Sequence, residues 1–179
     1  MDEPRLDDQA PRLLTLRATV LLERQHQPNR WEDWRFVLAG VEPDDGHLGV
    51  PAPGAARPQP RVLRDDGRTA LWAFPGLEVS LHPDEGEGYH LNLTSGAPVW
   101  FVMWRTDEDE PSQAWPERVT LSYHEAGRLL DAQERVDNWP LPPDWVDMLA
   151  GYTEAHYRPE PKKRQRPASF RAPGERGPR

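Results

Sequence analysis

The sequence of 179 residues contains no cysteine, and this absence narrows the chemistry open to the chain. Without thiols there can be no disulfide, no thiolate ligand for zinc or an iron–sulfur cluster, and no cysteine nucleophile. Lysine is almost as scarce, since Lys162 and Lys163 near the C-terminus are the only two. The residues before them therefore lack the lysine that a phosphate-binding loop or a Schiff-base enzyme needs.

Long hydrophobic runs and the usual catalytic motifs are missing as well. The longest apolar stretch, Pro98 to Trp104, is far shorter than the roughly 20 residues of a membrane-spanning helix. The acidic N-terminal residues do not resemble a secretory signal, so we expect a cytoplasmic protein. There is no G-x-S-x-G elbow, dinucleotide-binding glycine loop or Walker loop. We therefore predict that the protein is not an enzyme and has no cofactor.

The charge is unevenly distributed along the chain. From residue 158 to residue 179 there are eight basic and two acidic residues, so this segment carries +6 of the total net charge of −8, and the rest carries −14. Segments that are charged and rich in proline bury too little apolar surface to offset the entropy of ordering the chain. We predict a disordered acidic N-terminus over residues 1–14, a single folded domain over residues 15–157 and a disordered basic tail over residues 158–179.

Hydrophobic patterning within the domain favours strands followed by helices. It predicts an α+β fold with a mainly antiparallel sheet of about six to seven strands, closed by two C-terminal helices. The apolar and β-branched segments that we assign as strands or extended pieces are Arg17–Arg24, Trp31–Val41, Val62–Arg64, Thr69–Phe74, Leu77–His82, Tyr89–Thr94, Val99–Arg105, Val119–Ser122 and Glu134–Asn138. The run Val99–Arg105 is apolar on both faces, which is typical of a central strand.

Turn and cap residues set the boundaries of several elements. Asp65-Asp66-Gly67 predicts a tight hairpin turn, and Val41–Gln59 predicts a long loop. Ser122 and Glu125 have the spacing of a capping box before a helix over Tyr123–Gln133. A second helix from Asp144 to about Tyr157 is expected after two prolines.

Two histidines suggest a possible metal site. We predict a hairpin of Leu77–His82 and Tyr89–Thr94 with Gly86-Glu87-Gly88 in the turn, in which Leu81 faces Leu91 on the buried side. That register places His82 and His90 opposite each other on the polar face, where a glutamate of the turn could complete a two-histidine, one-carboxylate site. A solvated polar face is the favoured interpretation, and no metal is predicted.

Tryptophan is unusually frequent, with eight in one small domain. Trp31 and Trp34 cannot both face the same side of one strand, so at least one should lie near a surface or groove. Surface tryptophans are enriched in protein-binding hot spots. The predicted partner-binding residues are this aromatic pair with its neighbouring arginine and the basic cluster of the tail: Trp31, Trp34, Arg35, Lys162, Lys163, Arg164 and Arg166.

The order of several segments resembles a bacterial protein family of unknown function. The segments that carry the resemblance are Val20-Leu21-Leu22-Glu23-Arg24, Asn29-Arg30-Trp31 with Trp34, Leu77-Glu78-Val79-Ser80-Leu81-His82, Tyr89-His90-Leu91-Asn92-Leu93, Pro98-Val99-Trp100-Phe101-Val102 and Lys162-Lys163-Arg164. Genes of that family commonly lie beside those of molybdenum-dependent formate dehydrogenases and their maturation factors. Some members are labelled molybdopterin-guanine dinucleotide biosynthesis proteins, but this chain lacks the glycine-rich nucleotide loop that such an activity needs.

Three functional hypotheses follow. The resemblance implies an accessory, assembly or interaction protein for a formate dehydrogenase subunit or maturation factor. The alternatives are a nucleic-acid-associated regulator that acts through the basic tail, although the acidic body makes nucleic-acid binding weak or absent, and a small metal- or cofactor-binding protein that uses His82 and His90.

Overall fold

The computed structural model describes residues 13–49, 51 and 54–159. Within these residues the fold is α+β, as predicted, with seven strands in two antiparallel sheets and three α-helices. In chain order the elements are β1 (Leu14–His26), β2 (Trp34–Pro43), β3 (Arg61–Asp65), β4 (Thr69–Leu81), α1 (Gly86–Leu93), β5 (Val99–Thr106), β6 (Ala114–Thr120), α2 (Tyr123–Asp131), β7 (Val136–Pro140) and α3 (Pro143–His156), with a short 3-10 helix over Pro83–Glu85 before α1.

The first sheet has the strand order β2-β1-β4-β3. Its two longest strands, β1 and β4, pair along nearly their whole length, from Leu14 opposite Leu81 to Gln25 opposite Thr69. In β1, Ala18, Val20 and Leu22 are fully buried in the core, and Thr19 between them is 1 % exposed, so both faces of the strand are covered at this point. The two predicted strands Thr69–Phe74 and Leu77–His82 are thus one continuous strand, β4.

The second sheet has the order β6-β5-β7, so the predicted central position of the Val99–Arg105 segment is confirmed. Trp100, Val102 and Trp104 of β5 point into the core, where they are at most 3 % exposed. Phe36 of β2 contacts Trp72 of its own sheet with a ring-centroid distance of 5.9 Å and Trp104 of the second sheet with one of 6.3 Å. These aromatic rings therefore join the two sheets through buried apolar contacts.

The predicted hairpin of β3 and β4 is confirmed, including its turn. Gly67 has a φ of +81°, the left-handed conformation that glycine adopts without steric cost. The carboxylate of Asp66 accepts hydrogen bonds from the backbone N–H groups of Arg68 and Thr69 and from the Thr69 hydroxyl. These bonds lower the pKa of Asp66 to about 2.

The predicted hairpin partner Tyr89–Thr94 is wrong, because the chain there forms helix α1. At two positions the burial is the reverse of the predicted pattern: Asn92 is 1 % exposed, whereas Leu91 is 38 % exposed. The two glycines before Tyr89 belong to the helix and let it pack closely. A Cβ on Gly86 would lie 2.6 Å from the Cβ of Tyr157, and one on Gly88 would overlap the Oγ of Ser122.

The two helices predicted at the C-terminal end are confirmed as α2 and α3. Ser122 caps α2 by accepting the backbone N–H of Glu125 at 3.1 Å. The reciprocal half of the capping box is absent, because the Glu125 carboxylate instead accepts hydrogen bonds from Thr120 and Arg118. The third helix, α1, packs against both.

Most of the two termini predicted to be disordered lies outside the described residues, so the division into domain and tails stays a prediction. In the part of the chain that the structure describes, none of the helices has the length and hydrophobicity to cross a membrane.

Candidate functional site

Trp31, Trp34 and Arg35 line one cleft of about 980 Å³ at an end of the two sheets. We call it the Trp31 cleft. Its walls are the β1–β2 turn with the start of β2, the loop between β5 and β6, and side chains of β5 and β7: residues 29–36 and 106–112 with Trp104, Arg135 and Asp137. The structure thus brings together the three partner-binding residues predicted within the folded domain.

A hydrogen-bonded turn holds Trp31 at the mouth of the cleft. The Asn29 Oδ1 accepts the backbone N–H groups of Trp31 at 2.8 Å and Glu32 at 3.0 Å. The Asn29 N–H donates to the Glu32 carbonyl, which closes the turn. Trp31 is nevertheless 82 % exposed. The predicted strand boundary is wrong here: β2 starts at Trp34, so the alternation of faces along a strand does not apply to Trp31.

Trp34 forms a wall of the cleft and stacks on a largely buried arginine. The Arg24 guanidinium lies 4.5 Å from the centroid of the Trp34 ring and 4.8 Å from that of Trp72. Its side chain is 16 % exposed, and its Nη1 reaches the carbonyl oxygen of Ser112 in the β5–β6 loop at 3.5 Å. The two tryptophan faces and the carboxylate of Asp65, whose Oδ2 lies 3.5 Å from Nη2 of Arg24, together accommodate this positive charge.

The floor of the cleft is built from β5 and β7. The Trp104 indole N–H donates a 2.6 Å hydrogen bond to Oδ2 of Asp137, and the Arg135 guanidinium lies 4.4 Å above the Trp104 ring. Trp104 itself is 3 % exposed. The bond therefore satisfies a buried donor and fixes the carboxylate of Asp137 at the cleft.

The loop between β5 and β6 supplies most of the negative charge. Oδ1 of Asp107 accepts the backbone N–H groups of Asp109 and Glu110, and its Oδ2 accepts a hydrogen bond from Arg57. The Arg57 hydrogen bond, with those two backbone bonds, holds the pKa of Asp107 below its usual value. Glu108 and Asp109 are exposed, and no described side chain bonds to their carboxylates.

The electrostatic balance of the Trp31 cleft is negative. Seven of its lining residues are carboxylic acids and three are arginines, which gives a formal charge of −4. The acids are Glu32, Asp33, Asp107, Glu108, Asp109, Glu110 and Asp137, and the arginines are Arg30, Arg35 and Arg135. Such a surface repels phosphate groups and attracts cationic side chains.

The predicted pairing of His82 with His90 does not form. His82 precedes the 3-10 helix, and its backbone N–H donates to the Tyr89 hydroxyl. His90 lies on α1, where its ring contacts Tyr157 with a centroid distance of 5.5 Å. The register that would have aligned the two histidines required a strand where the chain forms a helix. Among the described residues no group of three or more His, Asp or Glu side chains has a geometry that could hold a metal ion.

The other predicted contact residues, Lys162, Lys163, Arg164 and Arg166, lie outside the described residues. Conversely, the structure adds cleft residues that sequence reasoning did not select. The acidic run Asp107 to Glu110 is recognisable in the sequence, but nothing in the sequence links it, or Asp137, to Trp31. The one signal in the sequence is that this acidic run directly follows the predicted central strand Val99–Arg105, which places it at an end of a sheet.

Comparison with known proteins identifies a family and nothing more specific. No curated protein and no solved structure shows significant similarity to the chain. One family model, described as a protein of unknown function (DUF3305), matches residues 17–166, which is most of the sequence. The chain therefore belongs to the DUF3305 family.

Proposed function

We propose that this protein is a non-enzymatic accessory or interaction protein that binds a protein partner through the Trp31 cleft. The observation that carries the proposal is the 82 % exposure of Trp31 on a turn that is closed by hydrogen bonds. An exposed tryptophan on an ordered turn supplies a large contact area, and little conformational entropy is lost when a partner covers it.

The residues around Trp31 support the same proposal. Trp34 adds a second aromatic face, and Arg35 is an exposed side chain on the same wall. Tryptophan and arginine are the residues that most often dominate the binding energy of protein interfaces. A cleft of about 980 Å³ is large enough to take several side chains of a partner.

The partner that we propose is a subunit or maturation factor of a molybdenum-dependent formate dehydrogenase. This part of the proposal rests on the sequence resemblance described above, in which genes of similar proteins lie beside those of such enzymes. An accessory factor acts on the folding, cofactor loading or targeting of its client. Its loss should therefore reduce the active enzyme formed per transcript.

The proposal is tested in a strain that lacks the gene for this protein and is grown under conditions that require formate dehydrogenase. We expect enzyme activity to fall more than the transcript level. Complementation with the wild-type gene or with Tyr123→Ala should restore activity, whereas Trp31→Ala should restore only part of it. Tyr123 is the matched control because its ring is also exposed, at 54 %, and lies outside the cleft.

Circular dichroism of the purified variants shows whether both remain folded. Unchanged formate dehydrogenase activity in the deletion strain would refute the proposed client. Full activity with a folded Trp31→Ala variant would refute the role of the cleft.

A further inference from the structure

A second depression of about 400 Å³ continues from the Trp31 cleft. It is lined by residues 35–38 of β2 and residues 136–139 of β7, and we call it the edge groove. Arg35, Phe36 and Asp137 line both cavities, so the two adjoin each other, and we call the pair the channel.

Both walls of the edge groove are edge strands. β2 is the first strand in the order β2-β1-β4-β3, and β7 is the last in the order β6-β5-β7. Within the described part of the chain, neither has a strand paired with its outer edge. An edge strand presents a row of backbone donors and acceptors that an extended peptide can pair with.

The cleft end of the channel has the chemistry to hold a guanidinium group. Trp31, which is 82 % exposed, lines the cleft together with Glu108 and Asp109, whose carboxylates bond to no described side chain, and the whole cleft has a formal charge of −4. The protein already stacks its own arginines on tryptophans here. Arg24 lies 4.5 Å from Trp34, and Arg30 lies 5.0 Å from Trp31.

We infer that the channel binds an extended, arginine-bearing segment of a partner protein. The segment's backbone pairs with the strand edges of the edge groove. One of its arginines stacks on Trp31, and the carboxylates of Glu108 and Asp109 balance its charge. The inference rests on the proposed function, and it adds the chemical class of the bound segment.

Charge and backbone geometry favour this occupant over a nucleic acid. A single strand could stack on Trp31 and Trp34, but its phosphates would face seven carboxylates. A basic peptide is attracted by that negative charge. Its backbone can also form hydrogen bonds with the N–H and C=O groups of the edge strands, which the backbone of a nucleic acid cannot do in strand register.

Fluorescence anisotropy with the full chain tests the inference. The probe is a fluorescein-labelled nonapeptide of alternating arginine and threonine, whose threonines favour an extended backbone. Two matched peptides are controls. One has citrulline in place of every arginine, which keeps the planar shape but removes the charge. The other has alternate backbone amides methylated, which blocks strand pairing.

We expect the arginine peptide to bind and both control peptides to bind at least tenfold more weakly. Trp31→Ala should weaken binding by at least tenfold, as for an aromatic anchor. The pair Glu108→Gln and Asp109→Asn should weaken it severalfold and reduce its salt dependence. Tyr123→Ala and Glu154→Gln, both exposed positions outside the channel, should leave binding unchanged.

The inference would be overturned if the citrulline peptide bound as tightly as the arginine peptide. It would also be overturned if Tyr123→Ala and Glu154→Gln weakened peptide binding as much as Trp31→Ala does. The segment after α3 is itself basic, so the full chain with Lys162, Lys163, Arg164 and Arg166 changed to glutamine is also measured. If the peptide binds only to that variant, the channel's occupant is this chain's own tail, and the inference of a partner segment is wrong.

The result is distinguishable from the outcome for the proposed function. If Trp31→Ala impairs formate dehydrogenase activity but no arginine peptide binds, the accessory role stands and the chemistry of the segment is wrong. If the peptide binds as expected and the deletion strain keeps full activity, the channel chemistry stands and the proposed client is wrong.

Discussion

Trp104 and Asp137 join the two strands that form the floor of the cleft. The indole N–H of Trp104, a buried residue of β5, donates to Oδ2 of Asp137 on β7 at 2.6 Å. Removing the acceptor would leave a buried donor without a partner, which costs more than the bond itself contributes.

We therefore predict that Asp137→Ala lowers the free energy of unfolding by about 2 kcal/mol. Asp137→Asn keeps an acceptor and should lose less than half as much. Asp109→Ala is the matched control, because that exposed carboxylate bonds to no described side chain and should change stability by less than about 0.5 kcal/mol. Urea unfolding followed by far-UV circular dichroism measures all three. Equal stability of Asp137→Ala and wild type would show that the indole finds another acceptor.

The close approach of α1 to the start of α2 depends on Gly88. A methyl group there would overlap the Oγ of Ser122, which is buried and already donates to Glu85 while capping α2. Gly88→Ala should therefore destabilise the protein by about 1–3 kcal/mol. Gly127→Ala is the control in α2, where a Cβ meets nothing within 4 Å, and it should stabilise by about 0.5–1 kcal/mol. Thermal unfolding of both variants shows whether each change raises or lowers the stability of the protein. A Gly88→Ala protein more stable than wild type would contradict this packing.

Asn92 connects α1 through its buried amide to the start of β5 and to the link between β6 and α2. Its Nδ2 donates to the carbonyl oxygens of Val99 and Leu121 at 2.8 and 3.0 Å, and its Oδ1 accepts the N–H of Val99 at 3.0 Å. Asn92→Ala leaves these backbone groups without partners and should cost about 3 kcal/mol of unfolding free energy. Asn138→Ala, at an exposed position of β7, should cost less than about 0.5 kcal/mol. A small effect at Asn92 in urea unfolding would mean that water replaces the amide.

Asp66 makes the stability of the β3–β4 hairpin depend on acid. Hydrogen bonds from the backbone of Thr69 and Arg68 and from the Thr69 hydroxyl lower its pKa from 3.8 to about 2. Because the pKa is lower in the folded state, this stabilisation is complete above pH 4 and is lost as the pH falls towards 2. Unfolding free energies measured from pH 5 to pH 2 should fall less steeply for Asp66→Asn than for wild type. An NMR titration that gave the Asp66 carboxyl its ordinary pKa would show that these hydrogen bonds do not stabilise the carboxylate.

Nucleic-acid binding should be weak and should depend on the tail, not on the cleft. If all eight basic groups of residues 158–179 met phosphates, the slope of log affinity against log salt would be roughly −7 on duplex DNA. The acidic body should keep the measured slope well short of that value. Deleting residues 158–179 should abolish binding, whereas Trp31→Ala should not. Tight binding that survives this deletion would show that the folded domain itself binds nucleic acid.

The strand content, the β3–β4 turn and the Ser122 cap of α2 were predictable because each has a local cause. Alternating burial marks a strand within a few residues, Asp-Gly favours a tight turn, and a serine before a helix caps it wherever the helix packs. The failure at Tyr89–Thr94 shows the limit of this reasoning. Six residues with alternating polarity fit a strand, but close packing allowed by Gly86 and Gly88 favours a helix there.

The sequence by itself determined the absence of thiol chemistry, the separation of charge between body and tail, and the elements with strong local patterns. Only the tertiary structure decided that Trp31, on the β1–β2 turn, shares a cleft with Glu108, on the β5–β6 loop. These residues lie far apart in the chain and come from different sheets. They meet because the two sheets pack through Phe36, Trp72 and Trp104. Such packing sums many contacts between distant segments, and no local pattern encodes it.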